Sequence, residues 1–139
     1  CTATLMETDR RCVVIECVNF DDCDYDLDGD MDLLVTTSNG RPRLLRNDGG
    51  NQNNWIRFKV NGLAIGTRII IKAELSNTMV QQHKEVGNNS GYLSQSEIPL
   101  HFGLGQANRV EQATIRFPNG QIQHIDDLAV NQTVEITAN

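Results

Sequence analysis

The chain has 139 residues, 39% of them hydrophobic and 22% charged, which is the composition of one globular domain or two small ones. Its net charge of −6 and pI near 4.9 argue against a nucleic-acid partner, which needs a basic face. The longest apolar runs are far too short to span a bilayer, and no basic-plus-apolar leader precedes Cys1, so any targeting segment is expected to have been removed or never to have been part of these residues. The acidity is local. Residues 1–50 carry 5 Lys/Arg against 11 Asp/Glu, whereas residues 51–139 carry 7 of each. Without Asp21, Asp22, Asp24, Asp26, Asp28, Asp30 and Asp32 the chain would stand at +1, so the acidity belongs to a site.

In chain order, residues 13–20 form a β-branched, apolar run ending in aspartates, although residues 5–17 also fit an amphipathic helix. Residues 33–37 and 43–46 read as short strands, with an Asn39-Gly40 turn signal between them. Asn47-Asp48-Gly49-Gly50, continuing polar to Asn54, is the best boundary, dividing the chain into segments 1–50 and 51–139. Beyond it the alternation is plain. Ile56, Phe58 and Val60 point one way, Arg57 and Lys59 the other. Ile69, Ile71, Ala73 and Leu75 share a face, as do Leu100, Phe102 and Leu104, and Ala113, Ile115 and Phe117. Pro118-Asn119-Gly120 is a hairpin turn into residues 121–125, and Val134 and Ile136 end the sheet. Period two implies half-buried antiparallel strands, and some seven of them imply a sandwich or barrel.

Cys1, Cys12, Cys17 and Cys23 all fall in the first 23 residues, with no C-x-x-C spacing. An even number in a short span suggests one or two disulfides and hence an oxidising compartment, the alternative being that some are free, buried thiols. Four cysteines allow three pairings, and the sequence does not choose among them. Cys1–Cys12 with Cys17–Cys23 would close two short loops around one strand.

The chemistry lies in Asp24-Tyr25-Asp26-Leu27-Asp28-Gly29-Asp30-Met31-Asp32. Acids at positions 1, 3, 5 and 9 set carboxylates on the inside of one tight loop. Gly29 permits the sharp bend, and the Asp30 carbonyl can turn inward. Hard oxygen donors at this density suit Ca²⁺, whereas Mg²⁺ keeps its waters and avoids all-protein cages. An EF-hand is excluded: its twelfth position needs a bidentate Glu and is Val35, and the flanks read as strands.

The segment from Asp24-Tyr25-Asp26 through Asp32-Leu33-Leu34-Val35 resembles the calcium loop and following strand of an FG-GAP/VCBS repeat. Such repeats form the blades of β-propellers in integrin-type and secreted bacterial proteins. The resemblance implies calcium ligation by the Asp24, Asp26, Asp28 and Asp32 side chains and the Asp30 carbonyl. Because one repeat is present, it implies a single, partial propeller-type blade. The remainder resembles the ASPIC/UnbV domain that follows such repeats in secreted proteins of the cartilage acidic protein kind. The matching stretches are Arg43-Leu44-Leu45-Arg46-Asn47-Asp48-Gly49-Gly50, Asn54-Trp55-Ile56, Ala64-Ile65-Gly66-Thr67-Arg68, Ser90-Gly91-Tyr92-Leu93-Ser94-Gln95-Ser96 and Leu100-His101-Phe102-Gly103-Leu104-Gly105. The two resemblances cover residues 18–139, and residues 1–17 match neither. The expected architecture is all-β: a partial blade with a calcium loop, then an antiparallel β-sandwich.

Little points to catalysis. His83, His101 and His124 have no spaced metal or nucleophile partner, and Ser94 and Ser96 lack a G-x-S-x-G context. Asp126 and Asp127 are adjacent, so a strand would send them to opposite faces. The expected role is a secreted, non-catalytic calcium-binding module for structural or adhesive interaction. Its partners would be another protein or copies of itself, met through exposed sheet edges. The alternative is a carbohydrate-binding module, with Trp55 and Tyr92 as stacking candidates. Sequons at Asn88 and Asn131 are about as many as chance supplies.

Overall fold

The computed structural model describes residues 18–26, 28–37, 40–62, 65–87 and 98–137. The expected cysteine pairings, Tyr92, Ser94, Ser96, the Asn88 sequon and the choice between strand and helix over residues 5–17 lie outside them. The described residues form strands, as expected of an all-β chain, with one short 3-10 turn at Gly50–Gln52.

Three strands come first: β1 (Val18–Cys23), β2 (Asp32–Thr37) and β3 (Arg43–Leu45). They pair antiparallel in chain order, with Cys23 opposite Asp32 at the mouth of the aspartate loop. The loop is thus the connection of a β-hairpin, which disposes of helical flanks. Seven more strands follow the expected boundary: β4 (Asn54–Asn61), β5 (Arg68–Leu75), β6 (Thr78–Glu85), β7 (Leu100–Gly105), β8 (Arg109–Arg116), β9 (Ile122–Ala129) and β10 (Gln132–Thr137). They make two sheets, ordered β10-β4-β7 and β6-β5-β8-β9.

The alternation read from the sequence builds the core between these sheets. Ile56, Phe58 and Val60 of β4, with Leu100, Phe102 and Leu104 of β7 and Ile136 of β10, form one side of a single buried cluster. Ile69, Ile71 and Ala73 of β5, with Val110, Ala113 and Ile115 of β8, form the other. Phe58 and Phe102 meet edge-on, their centroids 5.8 Å apart, the arrangement the ring quadrupoles favour. The result is a β-sandwich.

Three features depart from the expected pattern. First, β6 was not expected: its sequence Thr-Met-Val-Gln-Gln-His-Lys-Glu is mostly exposed, as befits a polar edge strand. Ser76 and Asn77, at φ 50° and 63°, form the two-residue turn that joins it to β5; positive φ at both central positions is what the right-handed twist of a hairpin selects. Second, β9 extends past residue 125, and its adjacent acids have separate partners. Asp126 accepts from Gln112, and Asp127, at φ 56°, pairs with Arg109.

Third, the sandwich is not wholly antiparallel, because β10 runs parallel to β4. Asn131 is the reason. At φ 58° it turns the chain out of β9, its backbone N–H donates to the Trp55 carbonyl at 2.6 Å, and its Oδ1 accepts from the Trp55 N–H at 3.0 Å. Its Nδ2 donates to Asn54 Oδ1 at 2.8 Å. The starts of β4 and β10 are therefore pinned together, and two strands pinned at their starts run the same way. Lys59 then donates across the pair to Glu135 at 2.9 Å, a hydrogen bond that, with a further one from Asn61, holds this exposed carboxyl below its usual range.

Phe58 has no exposed surface. Replacing it with Ala should cost about 3–5 kcal/mol of unfolding free energy, measured by urea titration, because the cavity between the sheets collapses only in part.

Candidate metal centre

Five aspartates of the loop arrive at three different fates. Asp32 opens β2 and is 2% exposed. Its Oδ2 accepts from the Tyr25 N–H at 2.9 Å and its Oδ1 from the Asn47 N–H at 2.8 Å. It ties the start of the loop to the end of β3. Asp30, 5% exposed, turns its Oδ2 to the Gly50 N–H at 2.9 Å and donates its own N–H to Asp28 Oδ1 at 3.1 Å. Both carboxylates thus hold the backbone of neighbouring turns.

The other three converge. Asp24, Asp26 and Asp28 each offer a carboxylate oxygen, all within 4.8 Å of one another. Asp24 is 5% exposed, and its Oδ1 is buried with no hydrogen-bond partner. Leaving a buried carboxylate oxygen unmatched is costly, on the order of 1–3 kcal/mol or more, and among the described residues no group donates to this atom. A cluster of three carboxylates, one of them buried, is a donor set that could hold a metal ion. Asp30 and Asp32 do not join the cluster by their side chains. Their hydrogen-bonded oxygens keep further lone pairs, so neither position is closed as a ligand.

Asp24 also faces the sandwich. Its Oδ2 accepts from the Gly29 N–H at 3.2 Å and from Arg57 Nη2, in an ion pair whose side chains are 1% and 8% exposed. Arg57 points away from the core, as the alternation of β4 requires, yet it is buried because the loop lies over it. The Arg57 guanidinium carbon sits 5.4 Å from the centre of the Trp55 ring, and Trp55 stacks on His101 at 5.6 Å. Gly29 completes the contact from the loop side. At φ +96° it adopts a conformation few side chains tolerate, and a Cβ built on it would fall 1.8 Å from Trp55 Nε1. Trp55, the expected sugar platform, is hemmed by Arg57, His101 and Gly29; His101 has a packing role there. Arg57 was the residue the sequence reading passed over, because an outward Arg beside an outward Lys looks like a solvated face.

A second cation lies farther out. Arg46 approaches Asp26 at 3.9 Å and bonds Asp48 at 2.6 Å, which holds the guanidinium above its ordinary value. It is over half exposed, so its contribution is small. Away from the loop, an open groove of about 550 Å³ lies between the β5–β6 turn and the β7–β8 connection. Glu74, Gln106, Arg109 and Glu111 line it, with no histidine or cysteine among its lining residues.

Substituting Gly29 with Ala should undock the loop from Trp55. Tryptophan fluorescence is expected to shift to the red and the melting temperature to fall, whereas Gly49→Ala, whose Cβ meets nothing within 4 Å, should leave both in place.

Comparison with known proteins accords with the second half of this picture. The sequence profile of the family described as ASPIC and UnbV matches residues 58–139. Cartilage acidic protein 1 from Homo sapiens is 26% identical over 122 residues, covering 81% of this chain and 18% of that protein. The Mus musculus protein of the same name is also 26% identical and that of Xenopus tropicalis 25%, with the same coverage. The chain therefore spans under a fifth of the length of these relatives. No solved structure is detectably similar. The family match begins one residue after Arg57, so the sandwich lies almost wholly inside it and the aspartate loop outside it. With more than half its length matched, the chain belongs to the ASPIC and UnbV family.

Proposed function

We propose that the chain is a secreted, non-catalytic module that binds one Ca²⁺ in the aspartate loop and serves structural or adhesive contacts outside the cell. Residues 1–50 are read as an FG-GAP/VCBS-like calcium-binding unit and residues 51–139 as the ASPIC/UnbV sandwich. The observation that carries the reading is the buried, unmatched Oδ1 of Asp24 beside the carboxylates of Asp26 and Asp28. Oxygen-only donors in a tight loop favour Ca²⁺, which accepts 6–8 of them with irregular geometry, over Mg²⁺. The ligands assigned are the Asp24, Asp26, Asp28 and Asp32 side chains with the Asp30 carbonyl. The extracellular assignment is supported by relatives named for cartilage and by four cysteines within 23 residues.

A cation that binds only the folded state stabilises it by RT ln(1 + [L]/Kd), about 2.7 kcal/mol at a hundredfold excess over Kd. The melting temperature should rise in CaCl₂, fall in EDTA and respond little to MgCl₂, and Asp28→Ala should abolish the calcium response. A wild-type chain whose melting temperature is unchanged by EDTA would sink the calcium reading.

For contacts, the three-stranded sheet offers its edges. Among the described residues β1 and β3 flank β2, and Leu44 on β3 is 42% exposed. The outer strands of the larger sandwich sheet are blunted, β6 by its charged end and β9 by the positive φ at Asp127. Self-association through the N-terminal sheet should appear as a concentration-dependent rise in mass by light scattering in calcium buffer. A monomer across the accessible concentration range would assign the edges to another protein.

A further inference from the structure

We propose that Arg57 is a resident counter-charge that shares the Asp24 carboxylate with the loop's cation. Cation binding and the docking of the loop on β4 would then be coupled through that one group. The proposal rests on reading the loop as a cation site, and it adds what governs that site's affinity.

The geometry is that of one carboxylate with two unlike faces. One oxygen of Asp24 meets Arg57 and the Gly29 N–H. The other is buried without a hydrogen-bond partner, and Asp24 stands within 4.8 Å of the oxygens of Asp26 and Asp28. Burial makes an ionised carboxylate expensive unless a positive group compensates it. Without a cation, Arg57 does this. Among the described residues the flanking charges do not substitute for it. Asp30 and Asp32 are acids engaged with backbone N–H groups, and Arg46 is exposed and bonded to Asp48.

A bound divalent ion would compensate the same carboxylate from its other side and would repel the guanidinium. The two effects are then less than additive. With Arg57 present, part of what a cation offers has already been supplied, and the loop keeps its place on β4 when the cation leaves. With Arg57 neutralised, buried Asp24 keeps the Gly29 N–H, and among the described residues the cation is what would compensate its charge. Linkage makes this reciprocal: whatever factor Arg57 takes from cation affinity, the cation takes from the Arg57 contact. A residue that merely positioned Asp24 would do the opposite, and its loss would weaken cation binding.

The test uses the full chain and Ca²⁺ as the probe, with titration calorimetry and melting temperatures in CaCl₂ and EDTA. Arg57→Gln keeps a hydrogen-bond donor and removes the charge; Arg57→Lys keeps the charge and removes the fork. Arg57→Gln is expected to bind Ca²⁺ more tightly, by about fivefold or more, the lower end for coupled sites, and to show a larger calcium-dependent rise in melting temperature. Arg57→Lys should bind close to wild type. Equal or weaker binding by Arg57→Gln, in a wild-type chain that does bind Ca²⁺, overturns the counter-charge role and leaves the metal reading intact. So does a variant unfolded in both buffers, since the cation is then not replacing Arg57. A wild-type chain without any calcium response removes the metal reading first, and this coupling with it.

Discussion

A carboxylate held out of water between a loop and a strand sets the terms for the first half of this molecule. Asp24 is a buried acid matched on one side only, by Arg57 and a backbone N–H. Burying such an ion pair is seldom a net gain, because desolvation of both groups offsets their attraction. What it does provide is orientation. A loop whose key acid must reach Arg57 has one way to lie on β4, and that way brings Gly29 against the edge of Trp55. The positive φ at Gly29 and the absence of a side chain there are two requirements met by one residue.

The same contact explains why β4 is buried on both faces where a sandwich strand ordinarily has one. Ile56, Phe58 and Val60 enter the core, and Trp55 and Arg57 are covered from outside by the loop. Only Lys59, beyond the loop's reach, keeps the exposure that alternation alone would give, and it bonds Glu135 instead. β4 is also the central strand of its sheet and the anchor for Asn131, which fixes the direction of β10. Sandwich, crossover and loop therefore meet at the first four residues of one strand.

How much of this the sequence disclosed follows from the range of the forces involved. Period-two burial is a local signal, so β4, β5, β7 and β8 could be read from Ile56 to Phe117, and the Pro118-Asn119-Gly120 hairpin from its own turn chemistry. The acidic loop was legible because five aspartates at fixed spacing have few other uses. β6 was silent, since an exposed edge strand buries too little to impose alternation. The parallel entry of β10 depends on side-chain bonds between residues 76 and 77 positions apart, and no local pattern records them. Arg57 failed to stand out for a related reason. Its burial is a property of what lies on top of it, and the covering residues are 33 positions away.

The distribution of roles among the aspartates has a consequence for where the cation reading is strongest. Asp30 and Asp32 are matched by backbone N–H groups and would hold the loop's shape with or without an ion. They frame the loop through those hydrogen bonds. Asp26 and Asp28 stand beside Asp24 with one exposed arginine at 3.9 Å from Asp26. Among the described residues, Arg57 and Arg46 bring guanidinium groups to the five aspartates of these nine residues, Arg57 buried and Arg46 exposed. Within that cluster of acids, Asp24 Oδ1 is buried without a hydrogen-bond donor. The density of acids and the hydrogen bonding thus both bear on Asp24. Asp30 and Asp32 hold the loop through backbone groups while Asp24 reaches the sandwich, so under the proposed coupling one charge on β4 would act on the cation site without being part of the frame.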